Sequence, residues 1–163
     1  MKYLDYELYK KVCLPDGDVY EESWNKQYEK YLEEFNQLIP RLPKRFYSEY
    51  TRRFFHDNVV TSFHTQLIKN KNRCQYNITL EICDNCDINV LHVLTFCDVK
   101  SVVSNIKFKE TSGYFDWLYS ELLPLNNRYL SFEILLYDDS FLYSEFKKLH
   151  YLKKRNNNNE QLM

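Results

Sequence analysis

The chain contains no alanine and only two glycines, Gly17 and Gly113. A Walker-type loop and a dinucleotide fingerprint each need several glycines within a few residues, so both phosphate-cradling motifs are excluded. Without alanine, gaps between elements must be filled by large side chains. The same bias is what an AT-rich genome produces, so the 17% aromatic content does not by itself mark a ligand surface. Net charge is also scarce: 22 Lys+Arg oppose 23 Asp+Glu, and a pI near 6.4 gives no global field to recruit nucleic acid or an anionic membrane. Long apolar runs are missing from residues 1–11, where charges interrupt each stretch, so neither a signal peptide nor a membrane span is expected there. Five cysteines are an odd number. With no export signal in view, they predict reduced thiols and a cytoplasmic location rather than disulfides.

At 163 residues with 44% hydrophobic content, the chain suits one core. We expect a single α+β domain over residues 1–155, with a helical third over 1–55, a sheet over 58–152, and a disordered polar tail over 156–163. Asp18 and Glu21 have capping-box spacing, and an apolar stripe of Trp24, Tyr28, Tyr31, Leu32, Phe35, Leu38 and Ile39 follows at three- and four-residue steps. Pro40 and Pro43 end that helix, and Pro43 opens another in which Phe46, Tyr50 and Phe54 share a face. A shorter amphipathic segment over 4–12 completes the helical third.

Beyond Asp57 the pattern turns to β-branched and aromatic runs broken by Asn and Asp turns. Seven strands are predicted, over 59–68, 75–83, 88–96, 99–108, 114–123, 128–137 and 141–152. Their spacing suggests an antiparallel β-meander forming a sandwich or partly closed barrel, with the N-terminal helices packed on an open face or edge.

Three groups of residues could carry chemistry. Cys83 and Cys86 form a C-x-x-C pair, but the predicted hairpin places them about 30 Å from Cys74 and Cys97, too far for one four-cysteine zinc site. Cys74 and Cys97 are read as small buried hydrophobes near one another across the hairpin, and neither a metal nor a cofactor is expected. His56 and Asp57 form a titratable pair where the last helix meets the first strand. A histidine beside a carboxylate can act as a general base or orient a ligand, or the two can serve only the helix end and the turn. Trp117, Tyr119 and Glu121 alternate onto one strand face with Asp116 on the other, a row suited to anchoring a partner or to ending a core at a wet edge. Lys147, Lys148, Lys153, Lys154 and Arg155 read as protection of an edge strand, so nucleic acid is not the expected partner.

The opening MKYLDYELYKKV, the Phe55-His56-Asp57 step, LHVLTFCDVKSVV, WLYSE and the later EF at Glu145-Phe146 resemble an uncharacterised domain-of-unknown-function family of Gram-positive bacteria. The His-Asp step and the DVKSV-like turn are also similar to some bacterial immunity proteins that neutralise toxins. The resemblance implies a non-catalytic module that binds another protein, such as a toxin, and the strand pattern offers Trp117, Tyr119, Glu121 and Asp116 as the surface that would meet it. The competing expectation is a small-ligand-binding protein or enzyme in which His56, Asp57 and Glu121 converge on a pocket.

Overall fold

The computed structural model describes residues 1–70, 73–106 and 115–155. Gly113, Tyr114 and the tail over 156–163 lie outside the described residues. The α+β expectation holds: among the described residues three N-terminal helices pack on eight antiparallel strands. Among the described residues no helix is long and apolar enough to cross a membrane.

Helix α1 (Tyr6–Val12) is capped by Asp5, whose side chain accepts a hydrogen bond from the Glu7 amide at 2.8 Å. Helix α2 (Asp18–Asn36) starts one residue earlier than a capping box at Asp18 would require. Asp18 is its first helical residue, and Gly17 precedes it without a side-chain cap. Glycine suits this turn because a Cβ there would overlap the Val12 carbonyl. A 3₁₀ turn (Ile39–Arg41) then carries the chain to α3 (Lys44–Arg53), which follows Pro43. Tyr31 and Phe35 of α2 and Phe46 and Tyr50 of α3 are buried. Their rings interlock, with Phe35 to Tyr50 at 5.4 Å and Phe46 to Tyr50 at 5.0 Å between centroids. Rings thus do the packing that alanine would otherwise ease.

The strands are β1 (Val59–Asn70), β2 (Arg73–Cys83), β3 (Val90–Val99), β4 (Ser101–Asn105), β5 (Phe115–Pro124), β6 (Leu130–Leu136), β7 (Phe141–Phe146) and β8 (Lys148–Arg155). Their order is β4-β7-β6-β5-β1-β2-β3-β8. A meander therefore exists within each half, as β1-β2-β3 and as β5-β6-β7. The halves meet at β1 and β5, which among the described residues pair only through Val59 with Asp116 and Val60 with Phe115. They are also joined where β3 runs into β4 at Lys100 and β7 runs into β8 at Lys147. There the Lys100 amide donates to the Glu145 carbonyl at 2.8 Å, and the Lys147 amide donates to the Cys97 carbonyl at 3.0 Å. The single strand predicted over 141–152 is thus two strands split at Lys147, one for each half. The lysine-rich β8 lies at the end of the strand order, where edge protection is useful.

Among the described residues no strand pairs with the β1-facing edge of β5 beyond Trp117, and the helices cover it. Tyr50 Oη donates to the Ser120 carbonyl at 3.1 Å, and the Leu122 amide donates to Tyr31 Oη at 3.2 Å. The two hydroxyls satisfy backbone groups that a neighbouring strand would otherwise pair.

At the far end, the β1–β2 hairpin overhangs the core. Phe63, Leu67 and Tyr76 share the face of the buried Ile78 and Leu80, yet they are 37%, 40% and 51% exposed. Cys74 lies on this overhang and is exposed, and Cys97 is half-buried, so the expected pair of buried thiols does not form. β2 meets β3 only from Tyr76 onward, leaving Cys74 beyond the paired region.

Candidate functional site

The link from α3 to β1 is held in a costly conformation. Phe54, Phe55 and Asp57 all have positive φ, at 52°, 58° and 64°. None is glycine, so each costs about 1–3 kcal/mol relative to ordinary geometry. The surroundings over-determine the path. The Phe54 amide donates to the Tyr50 carbonyl at 2.6 Å, and the His56 amide donates to the Arg53 carbonyl at 2.8 Å. Asp57 and Asn58 are clamped to β5, the Asp57 amide donating to the Trp117 carbonyl at 2.9 Å and the Trp117 amide to the Asn58 carbonyl at 2.8 Å. Phe55 is 3% exposed against Trp117 at 5.6 Å, and its burial offsets part of the strain.

This path hangs Phe54 and His56 over a cavity of about 230 Å³. Trp24, Asn25 and Tyr28 come from α2, Tyr119 and Ser120 from β5, and Leu4 from the N-terminal segment. The walls are mostly aromatic: Trp24 packs edge-on to Tyr119 at 5.2 Å, Tyr28 to Phe54 at 5.8 Å, and His56 to Tyr119 at 5.1 Å. Burial raises the Tyr119 hydroxyl pKa, so this wall is neutral. His56 Nδ1 lies 2.9 Å from Asp57 Oδ1. The adjacent pair in the sequence is therefore a real contact, with Asp57 orienting the ring from outside the cavity.

The third member of the expected pocket goes elsewhere. Glu121 is 2% exposed, and its carboxylate binds the N-terminal strap: Oε2 accepts from the Lys2 amide at 2.6 Å and Oε1 from the Tyr3 amide at 2.7 Å and from the Leu4 amide. His56, Asp57 and Glu121 do not converge. Nor do Trp117, Tyr119 and Glu121 form one row, because a β-bulge shifts the register between Trp117 and Tyr119. Trp117 turns into the core, fully buried, with Nε1 donating to Ser120 Oγ at 3.2 Å. Of the four residues expected to meet a partner, Asp116 is exposed, Tyr119 is half-buried in the cavity wall, and Trp117 and Glu121 are buried. Buried side chains offer a partner no surface, so that row is corrected to two core residues, one wall residue and one surface aspartate.

On the other side of the strained link lies a cleft of about 420 Å³, lined by Arg53, Phe55, Asp84, Cys86, His92 and Lys153 among others. His92, 2% exposed, sits between Tyr151 Oη at 2.7 Å from Nδ1 and Asp84 Oδ2 at 3.3 Å from Nε2. Arg53 bridges the rim, donating to Asp84 Oδ1 at 3.2 Å and to Cys86 Sγ at 3.0 Å. Burial pushes the Asp84 carboxyl up, but the Cys86 amide, His92 and Arg53 outweigh it and hold the group below the usual carboxylate range. Sequence reasoning missed this cluster, although the hairpin it predicted sets His92 across from Ile82, two residues before Asp84.

Burial lowers the His92 pKa below its ordinary 6.5 despite the pull of Asp84. In the unfolded chain the ring protonates near pH 6.5, whereas in the native state it resists until a lower pH. Between those values the unfolded state binds more protons, so stability falls as pH falls, by at most about 1.4 kcal/mol per pH unit. Urea unfolding from pH 7.5 to 5.5 should show this decline, and His92→Gln should flatten it. An equally steep decline in the variant would assign the effect to other groups.

Comparison with family models, with curated proteins and with solved structures finds no match.

Proposed function

We propose that this chain is a small-ligand-binding protein, with the cavity beneath His56 as its site. The observation that carries this reading is the set of left-handed, non-glycine residues in the link that hangs Phe54 and His56 over the cavity: Phe54, Phe55 and Asp57. Such strain persists where a precise placement is worth its cost, and here it sets an oriented imidazole over an aromatic-walled space. Toluene, a one-ring probe, should shift the ring NMR signals of Trp24, Tyr28 and Tyr119 while leaving that of the exposed Tyr137 in place. The absence of any shift with millimolar toluene would overturn the reading.

A second reading, the protein-binding module expected from the sequence, draws on the overhang of the β1–β2 hairpin. Phe63, Leu67 and Tyr76 continue the core face beyond the core, and Lys69 lies near the tip on the same face, so the matching partner is an extended acidic segment of another protein. Binding of a glutamate-rich, alternating apolar peptide should weaken at least tenfold in the Phe63→Ser, Leu67→Ser double variant. Unchanged affinity would remove this reading.

A further inference from the structure

The cavity beneath His56 offers an occupant few polar contacts, and their chemistry narrows what it takes. The argument rests on the reading of that cavity as a ligand site. Its volume of about 230 Å³ exceeds the roughly 150 Å³ that accommodates benzene and falls below the roughly 300 Å³ where drug-sized pockets begin. One ring with a small substituent fits.

Two polar groups at the wall are already engaged, whereas the Asn25 amide and the Tyr28 hydroxyl, which also line it, stay available to an occupant. Ser120 Oγ lies 2.8 Å from Tyr50 Oη and accepts from Trp117 Nε1, and Arg53 is held by Asp84 and Cys86. His56 is different. An ionised Asp57 can only accept, so a neutral imidazole 2.9 Å away must carry its proton on Nδ1. The nitrogen left to an occupant is then Nε2, with a lone pair and no proton. A ligand bearing only acceptors, such as a benzoate, would meet that lone pair with its own.

We infer that the cavity takes a monocyclic phenol, whose hydroxyl donates to His56 Nε2 while its ring lies among Trp24, Tyr28, Phe54 and Tyr119. Asp57 acts as a positioning residue, fixing the tautomer that accepts.

Phenol and toluene have the same shape, so titration calorimetry of the full chain with both, at pH 8, isolates the hydroxyl. His56→Phe keeps an aromatic wall and removes the acceptor. It should weaken phenol about tenfold, the effect of one net hydrogen bond, and leave toluene within about twofold. Asp57→Gly suits the positive φ and frees the tautomer, so it should weaken phenol severalfold, and it serves as the test where the His56 variant does not fold. If both variants bind phenol as the wild type does, the phenol assignment fails while the cavity stands. If the wild type binds neither phenol nor toluene, both readings fail.

Discussion

Glu121→Ala should lower the free energy of unfolding by about 3 kcal/mol, which in a chain of this size corresponds to a fall in Tm of roughly 6–12 °C. The Glu121 carboxylate is buried and receives the amides of Lys2, Tyr3 and Leu4. Hydrogen bonds to a charged acceptor contribute about 1.5–3 kcal/mol each, and the amide of the buried Leu4 would be left without a partner. Water can reach the Lys2 and Tyr3 amides once the strap loosens, which keeps the total below the sum of three bonds. Glu121→Gln retains one carbonyl oxygen and should lose about half as much. Urea denaturation measures the difference, and hydrogen exchange at the Leu4 amide locates it. A loss under about 1 kcal/mol in the alanine variant would mean that other contacts hold the strap.

Trp117→Ala should cost more, about 4 kcal/mol, because it empties the centre of the core. The indole is fully buried, 5.6 Å from the Phe55 ring and 5.7 Å from the Phe132 ring, and its Nε1 bonds Ser120. The variant should also loosen the link at Asp57 and Asn58, whose backbone bonds run to residue 117. Trp117→Phe, which keeps a ring but loses the Ser120 bond and some volume, should cost about 1–2 kcal/mol. Chemical denaturation distinguishes this from a surface role: an alanine variant with unchanged stability would return Trp117 to the exterior.

These two residues also show why the site was harder to read than the fold. Strands β1 to β3 were legible because apolar residues alternate and Asp84 to Asp87 mark the turn, and periodicity alone places their faces. The same alternation misassigned Trp117, since a bulge at Leu118 breaks the two-residue period and no proline or glycine announces it. The break at Lys147 was equally silent: the two strands on either side have the same pattern, and only their different partners, β4 and β3, divide them. His56 and Asp57 were found because they are adjacent and their contact is local. Glu121 with residues 2–4, and Arg53 with Asp84, Cys86 and His92, are joined by tertiary packing across long stretches of chain, which no local pattern encodes.

The bends at Lys100 and Lys147 bear on how the chain is completed during synthesis. Among the described residues, strand β3 receives its second neighbour only from β8, the last of the eight strands, and β4 receives its neighbour only from β7. On the ribosome, β3 stays one-sided and β4 stays without a neighbour until residues 141–155 have emerged. A nascent or truncated chain ending before Lys148 leaves the β3 backbone, with Leu94 and Phe96 on its apolar face, open to any strand that meets it.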